Sequence, residues 1–111
     1  MKNATLKEVC EIAGVTRRAV QGYEKAELVT PSSKNKYGHL LYDEKTIEQI
    51  KTIKQYQDFG FTIKEIKSLL EYSEETYMDI MVQKLCKMKE ERCKLDRNIE
   101  IAERLIAEKR K

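Results

Sequence analysis

Apolar residues recur every three or four positions through most of this chain, and the places where that rhythm stops divide it into helices and one short extended segment. Leu6, Val9, Cys10 and Ala13 share one helical face. Thr5 and Glu8 stand at the spacing of a capping box, in which each side chain satisfies a backbone N–H that the helix start leaves unpaired. Gly14 ends this helix, because glycine takes positive φ without steric cost, and Thr16 is placed to cap a second one. The second helix turns Ala19, Val20 and Tyr23 inward and leaves Arg17, Arg18 and Gln21 outward. Pro31 closes the unit. The turn formers Ser32, Ser33, Asn35 and Gly38 then precede the apolar run Leu40, Leu41, Tyr42, which predicts a two-stranded hairpin, or wing. Asp43 caps a third helix to about Phe59, with Ile47, Ile50, Ile53 and Tyr56 at three-residue steps. Gly60 interrupts it. Thr62 and Glu65 repeat the capping box, and Ile63, Ile66, Leu69 and Leu70 form the inner face of a fourth helix to about Tyr72.

From Glu74 to Arg110 there is neither Gly nor Pro. Roughly 35 helical residues at ~1.5 Å each make a rod of about 52 Å, too long to fold back on itself. Met78, Met81, Leu85, Met88, Arg92, Leu95, Ile99, Ala102 and Ile106 follow alternating steps of three and four, the a/d seam of a heptad repeat. A head of about 70 residues cannot cover such a seam, so a second chain is expected on it. Arg92 falls at an a position, where it either snorkels or pairs across the interface and fixes the register. The expected architecture is therefore all-α with a small β-hairpin wing. Residues 1–72 form a winged helix-turn-helix domain, and residues 73–111 form a long dimerisation helix in a coiled coil.

A helix-turn-helix inserts the N-terminal residues of its second helix into the DNA major groove, where arginine can bond guanine through two hydrogen bonds. Thr16, Arg17, Arg18 and Gln21 are accordingly expected at bases or adjacent phosphates. Tyr23, together with Lys34, Lys36 and Tyr37 of the wing, is expected at the DNA backbone, where contacts fix register without reading sequence. His39, the single histidine, has no cysteine or carboxylate at metal-ligand spacing and is assigned to the groove edge or solvent. Lys51 and Lys54, off the apolar face of the third helix, are further phosphate candidates.

With these residues in place, the stretch from Leu6 to Leu70 resembles the winged-helix DNA-binding domain of the MerR-type transcription regulators. The resemblance rests on Gly14-Val15-Thr16-Arg17-Arg18, Tyr23, Leu28 with Pro31, Gly38 with Tyr42, and the run from Ile53 through Phe59-Gly60-Phe61 to Glu65-Ile66. The chain departs from the family pattern twice. Gln21-Gly22-Tyr23 stands where the family usually has Arg-Tyr-Tyr, and Gly38-His39-Leu40-Leu41-Tyr42 stands where it usually has Gly-Tyr-Arg-x-Tyr. Two cationic contacts are thus missing, at Gln21 and Leu40. Gly22, costing about 1 kcal/mol of helix propensity relative to Ala, is expected to allow close approach of the backbone to DNA or to the wing. The resemblance implies a homodimer whose long helices, residues 73–111, pair as an antiparallel coiled coil and which binds a two-fold related promoter operator. It also implies that the dimer bends and undertwists an overlong spacer, realigning the promoter for RNA polymerase.

Composition alters this picture little. The 111 residues suffice for one small domain plus an extension, and 37% charged content suits an exposed coiled coil. A net charge of +3 is too small to drive DNA binding by itself, so affinity must come from placed side chains and from two-site binding. There is no apolar run long enough for a membrane span and no signal-peptide pattern, so a cytoplasmic protein is expected. Cys86 and Cys93 lie about 10.5 Å apart along the helix axis, too far for an intrachain disulfide or one shared ion. They and Cys10 are read as reduced thiols, with no metal and no cofactor. No nucleophile, base and orienter, paired acids or phosphate-cradling loop can be assembled, which argues against an enzyme. Two alternatives keep the fold: a coiled-coil adaptor or anti-activator that has lost DNA binding, and a redox or metal sensor working through Cys86 and Cys93.

Overall fold

The computed structural model describes residues 3–111. In chain order it contains β1 (Ala4–Thr5), α1 (Leu6–Ala13), α2 (Arg17–Lys25), β2 (Ser33–Lys34), β3 (Leu40–Tyr42), α3 (Glu44–Asp58), α4 (Ile63–Glu71) and α5 (Glu74–Arg110). One compact unit ends at Glu71 and a second runs from Tyr72 to Lys111.

Local chemistry sets the helix ends. At α1 both halves of the capping box form: the Glu8 N–H donates to Thr5 Oγ1 at 3.3 Å, and the Thr5 N–H donates to Glu8 Oε1 at 3.0 Å. Gly14, at φ 67°, closes the helix with its N–H on the Cys10 carbonyl. Thr16 Oγ1 accepts the Ala19 N–H at 3.0 Å and opens α2. Asp43 does the same for α3 through the Thr46 N–H at 2.8 Å. Thr62 and Glu65 form the second box before α4, and Ser73 caps α5 through the Thr76 N–H.

The sheet differs from the expected two-stranded hairpin. It has three antiparallel strands in the order β1-β3-β2, with Ala4 opposite Tyr42, Thr5 opposite Leu41, Ser33 opposite Leu41 and Lys34 opposite Leu40. β1 is two residues long and leaves no alternation to read. Thr5 serves twice, as an edge-strand residue and as the α1 cap. By pairing with β3, β1 satisfies backbone groups that would otherwise form a bare strand edge.

The core of the first unit gathers Val9, Val20, Tyr23, Tyr42, Ile50 and Ile66, each with essentially no exposed surface. Every helix of the head and β3 contribute. Leu70 departs from its expected inward position and is 58% exposed. Around the α4 axis it points much as Ile63 and Ile66 do, but it sits in the last turn. There it borders an open groove of about 460 Å³ shared with Leu28, Ile53 and Tyr56, and nothing covers it.

The second unit is α5, 37 residues long, or about 55 Å at ~1.5 Å per residue. None of its residues is buried. Leu85, Leu95, Ile99 and Ile106 on the heptad stripe are exposed, and so are Val82, Ile101 and Leu105 off it. Among the described residues no helix is long and apolar enough to cross a membrane.

Candidate nucleic-acid interface

The candidate surface is built from the start of α2 and from the wing. Because Thr16 spends its hydroxyl on the Ala19 N–H, the α2 N-terminus is fixed and the following residues have defined directions. Val20 and Tyr23 point into the core, and Arg17, Arg18 and Gln21 stand exposed. Residues three and four apart share a helix face, so Arg17 and Gln21 form one edge of the exposed surface and Arg18 the other.

The wing owes its shape to Asn35. Its side-chain oxygen accepts the Tyr37 N–H at 2.9 Å and the His39 N–H at 3.0 Å, while the Asn35 N–H donates to the His39 carbonyl at 2.9 Å. Gly38, at φ 80°, completes the turn with its N–H on the Asn35 carbonyl. This clamp puts Lys34, Lys36, Tyr37 and His39 in solvent. Tyr37 is 72% exposed, an unusual position for so large an aromatic ring. Lys36 Nζ lies 5.1 Å from the centre of that ring, within cation–π range.

The wing is tied to α2 from below. The Tyr42 hydroxyl donates to the Glu24 carboxylate, joining β3 to α2. Burial, together with the neighbouring Glu24 anion, pushes the Tyr42 phenol well above its ordinary range, so it remains a donor. On the far side, Tyr23 Oη donates to Gln57 Oε1 at 2.6 Å and joins α2 to α3. Burial also raises the Tyr23 phenol. Both hooks link residues distant in sequence, and no local pattern announces them. Residue spacing assigns Asn35 only a generic turn role and passes over Glu24 and Gln57.

Two expectations are corrected here. Tyr23 is fully buried, with its hydroxyl engaged by Gln57, and its side chain is not presented to a ligand surface. Gly22 faces neither the wing nor open solvent: a Cβ placed there would meet Ile63 Cδ1 at 3.8 Å, so the position packs α2 against the start of α4. Lys51 and Lys54 keep part of their side chains in solvent, and each meets a carboxylate of its own helix, Glu48 at 3.1 Å and Asp58 at 2.6 Å.

Arg17 and the wing share one cleft of about 440 Å³, lined by Thr5, Leu6 and Lys7 of the β1–α1 junction, Arg17 of α2, and Gly38, His39 and Leu40 of the wing. The α2 start and the wing therefore open onto the same side of the head. Elsewhere, Cys86 and Cys93 are exposed on α5 and Cys10 is half-buried. Among the described residues no group of three or more His, Cys, Asp or Glu is gathered so as to hold a metal ion.

Known proteins resemble this chain in sequence and in fold. The chain is 34% identical over 67 residues to the HTH-type transcriptional activator mta of Bacillus subtilis, covering 60% of this chain and 26% of that protein. It is 34% identical over 65 residues to the HTH-type transcriptional regulator CueR of Yersinia pestis, covering 59% and 47%. The chain thus spans half or less of these curated relatives. Among solved structures, the N-terminal part of the Bacillus subtilis multidrug transporter activator, MtaN, superposes with a TM-score of 0.59 at 28% identity, over 86% of this chain and 97% of that one. The crystal structure of HiNmlR, a MerR family regulator lacking the sensor domain and bound to promoter DNA, superposes with a TM-score of 0.75 over 96% of this chain and 89% of that one. At 17% identity that likeness is one of fold. The sequence profile of the MerR HTH family regulatory proteins matches residues 4–73, well over half of the chain, and the chain belongs to that family.

Proposed function

We propose that this chain is a sequence-specific regulator of transcription initiation that binds promoter DNA as a homodimer in the cytoplasm. The reading rests on one observation: Arg17, at the start of the capped helix α2, lines a single cleft with Gly38 and His39 of the wing. A helix that reads the major groove and a wing that touches the flanking backbone must face the same way. The family relationship and the promoter DNA held by HiNmlR, a protein of like fold, support the same conclusion.

In this reading Arg17, Arg18 and Gln21 reach bases or adjacent phosphates, and Thr16 holds the helix start that aims them. Lys34, Lys36, Tyr37 and His39 grip the backbone. The α5 seam of Met81, Leu85, Met88, Arg92, Leu95, Ile99, Ala102 and Ile106 joins two copies in an antiparallel coiled coil, so the operator is two-fold related. A stiff seam converts binding at two half-sites into distortion of the DNA between them, at a cost that depends on its sequence. The distortion sets promoter geometry for RNA polymerase.

The test begins with selecting bound duplexes from a random pool with the purified chain, which should yield a symmetric site. On that site Arg18→Ala should weaken binding by ~1–3 kcal/mol in a salt-controlled titration while leaving the dimer intact. Unchanged affinity would remove the groove assignment, and failure to enrich any duplex would remove the function.

A further inference from the structure

The cleft between the β1–α1 junction, α2 and the wing contains a cation that no motif assigns. Lys7, in the first turn of α1, lines it together with Arg17 and His39, and half-buried Leu40 lines its wing side. Leu40 occupies the wing position where the family pattern has arginine, so the charge absent from the strand is met by a lysine that the fold brings in from another element.

Several observations give Lys7 an external role. It is exposed, and among the described residues neither it nor Arg17 has an acidic partner at ion-pair distance. Among the described residues no carboxylate lines the cleft. Glu8, the acid next to Lys7 in sequence, is turned onto the Thr5 N–H and hydroxyl. Two cations from different elements facing one cleft without a counter-charge repel each other, and an anion between them removes that penalty. The capping box has already used the N–H of Thr5 and of Glu8, so side chains supply the attraction.

We infer that this cleft seats one phosphodiester group of the duplex, held by Lys7 and Arg17 and flanked by His39, and that Lys7 supplies the phosphate interaction that the apolar Leu40 side chain cannot make. The inference rests on the proposed DNA-binding function. Its position between recognition helix and wing makes the phosphate one at the groove edge, contacted identically whatever bases adjoin it.

Salt titration of DNA binding reads such a contact directly, because each neutralised phosphate contributes about 0.9 to the slope of log affinity against log salt. Wild type, Lys7→Ala and Lys67→Ala would be compared on the selected operator and on a scrambled duplex; Lys67 is an exposed lysine of α4 outside the cleft. Lys7→Ala should lower the slope by about 0.9 per bound protomer on both duplexes, with an unchanged melting curve, and Lys67→Ala should leave it alone. A wild-type slope in Lys7→Ala, an equal loss in Lys67→Ala, or a loss confined to the operator would overturn the phosphate seat while the DNA-binding function stands. A wild-type chain that retains neither duplex would overturn both.

Discussion

Gly22 shows how much of the site turns on what one side chain meets. In sequence it is an anomaly, a helix-weakening residue in the middle of the recognition helix beside a departure from the family pattern. In the fold, the space beyond its Cα is bounded by Ile63 Cδ1 at a distance ordinary for van der Waals contact. A methyl group would therefore touch without clashing, and the helix would regain the propensity that glycine forgoes. Gly22→Ala is expected to stabilise the protein by about 1 kcal/mol, raising its melting temperature and leaving DNA affinity unchanged; a lower melting temperature would mean that α4 cannot accept the contact. Tyr23, next to it, carries the opposite lesson. Its inward direction was legible from spacing with Ala19 and Val20, but its partner was not, because Gln57 lies 34 residues away on another helix. A tyrosine with one polar atom can suit either a DNA backbone or a buried hook, and only the fold decides between them.

Among the elements, helix boundaries were the most legible part of the chain because caps are local chemistry. Thr5 with Glu8, Thr16, Asp43 and Thr62 with Glu65 each bond a backbone N–H three residues away or less, so their spacing alone determines the outcome. The sheet was legible only in part. Turn residues marked β2 and β3, whereas β1 is two residues paired across the whole helix-turn-helix, and nothing nearby signals it. The Asp43 cap makes a prediction at this scale. Its carboxylate is held below the ordinary range, chiefly by the Thr46 N–H, with Ser32 and Lys45 adding to the effect. A depressed folded-state value means that its contribution is fully present above the unfolded value, near pH 4, and is lost as pH falls through the lower folded value. Asparagine caps helices about as well and does not titrate. Asp43→Asn should therefore melt close to wild type at pH 7 and lose less stability as pH falls below about 4. Parallel thermal melts that stay superimposed down to the lowest pH would show that the charge of this cap contributes nothing.

At the scale of the molecule the unbalanced feature is α5. A helix of 37 residues with no buried side chain, and with Leu95 at 60% and Ile106 at 52% exposure, keeps a long apolar stripe in water. The heptad spacing identified one stripe; Val82, Ile101 and Leu105 lie off it, since a single a/d count follows one face only. In the proposed homodimer the stripe is buried against a second copy, which would remove that cost and would account for how a chain of net charge +3 holds DNA. Joining two heads makes the second half-site contact intramolecular, which can raise avidity by 10²–10⁴ without any new contact. Replacing Leu95 and Ile99 together by Asp places unpaired charges in the seam, where burial is strongly unfavourable. Sedimentation at micromolar concentration should then show one copy in place of two, and affinity for the selected operator should fall by two to four orders of magnitude. Ultraviolet circular dichroism adds an independent readout, since helices in proteins draw most of their stability from packing an apolar face and α5, the longest helix of the chain, dominates the helical signal. Wild type should lose part of its helicity on dilution through its dimer dissociation, and the double variant should show a lower helicity that does not change with concentration. If the variant stays dimeric, the seam is elsewhere on α5; if it is monomeric and still binds the operator as tightly as wild type, the two heads do not act as one.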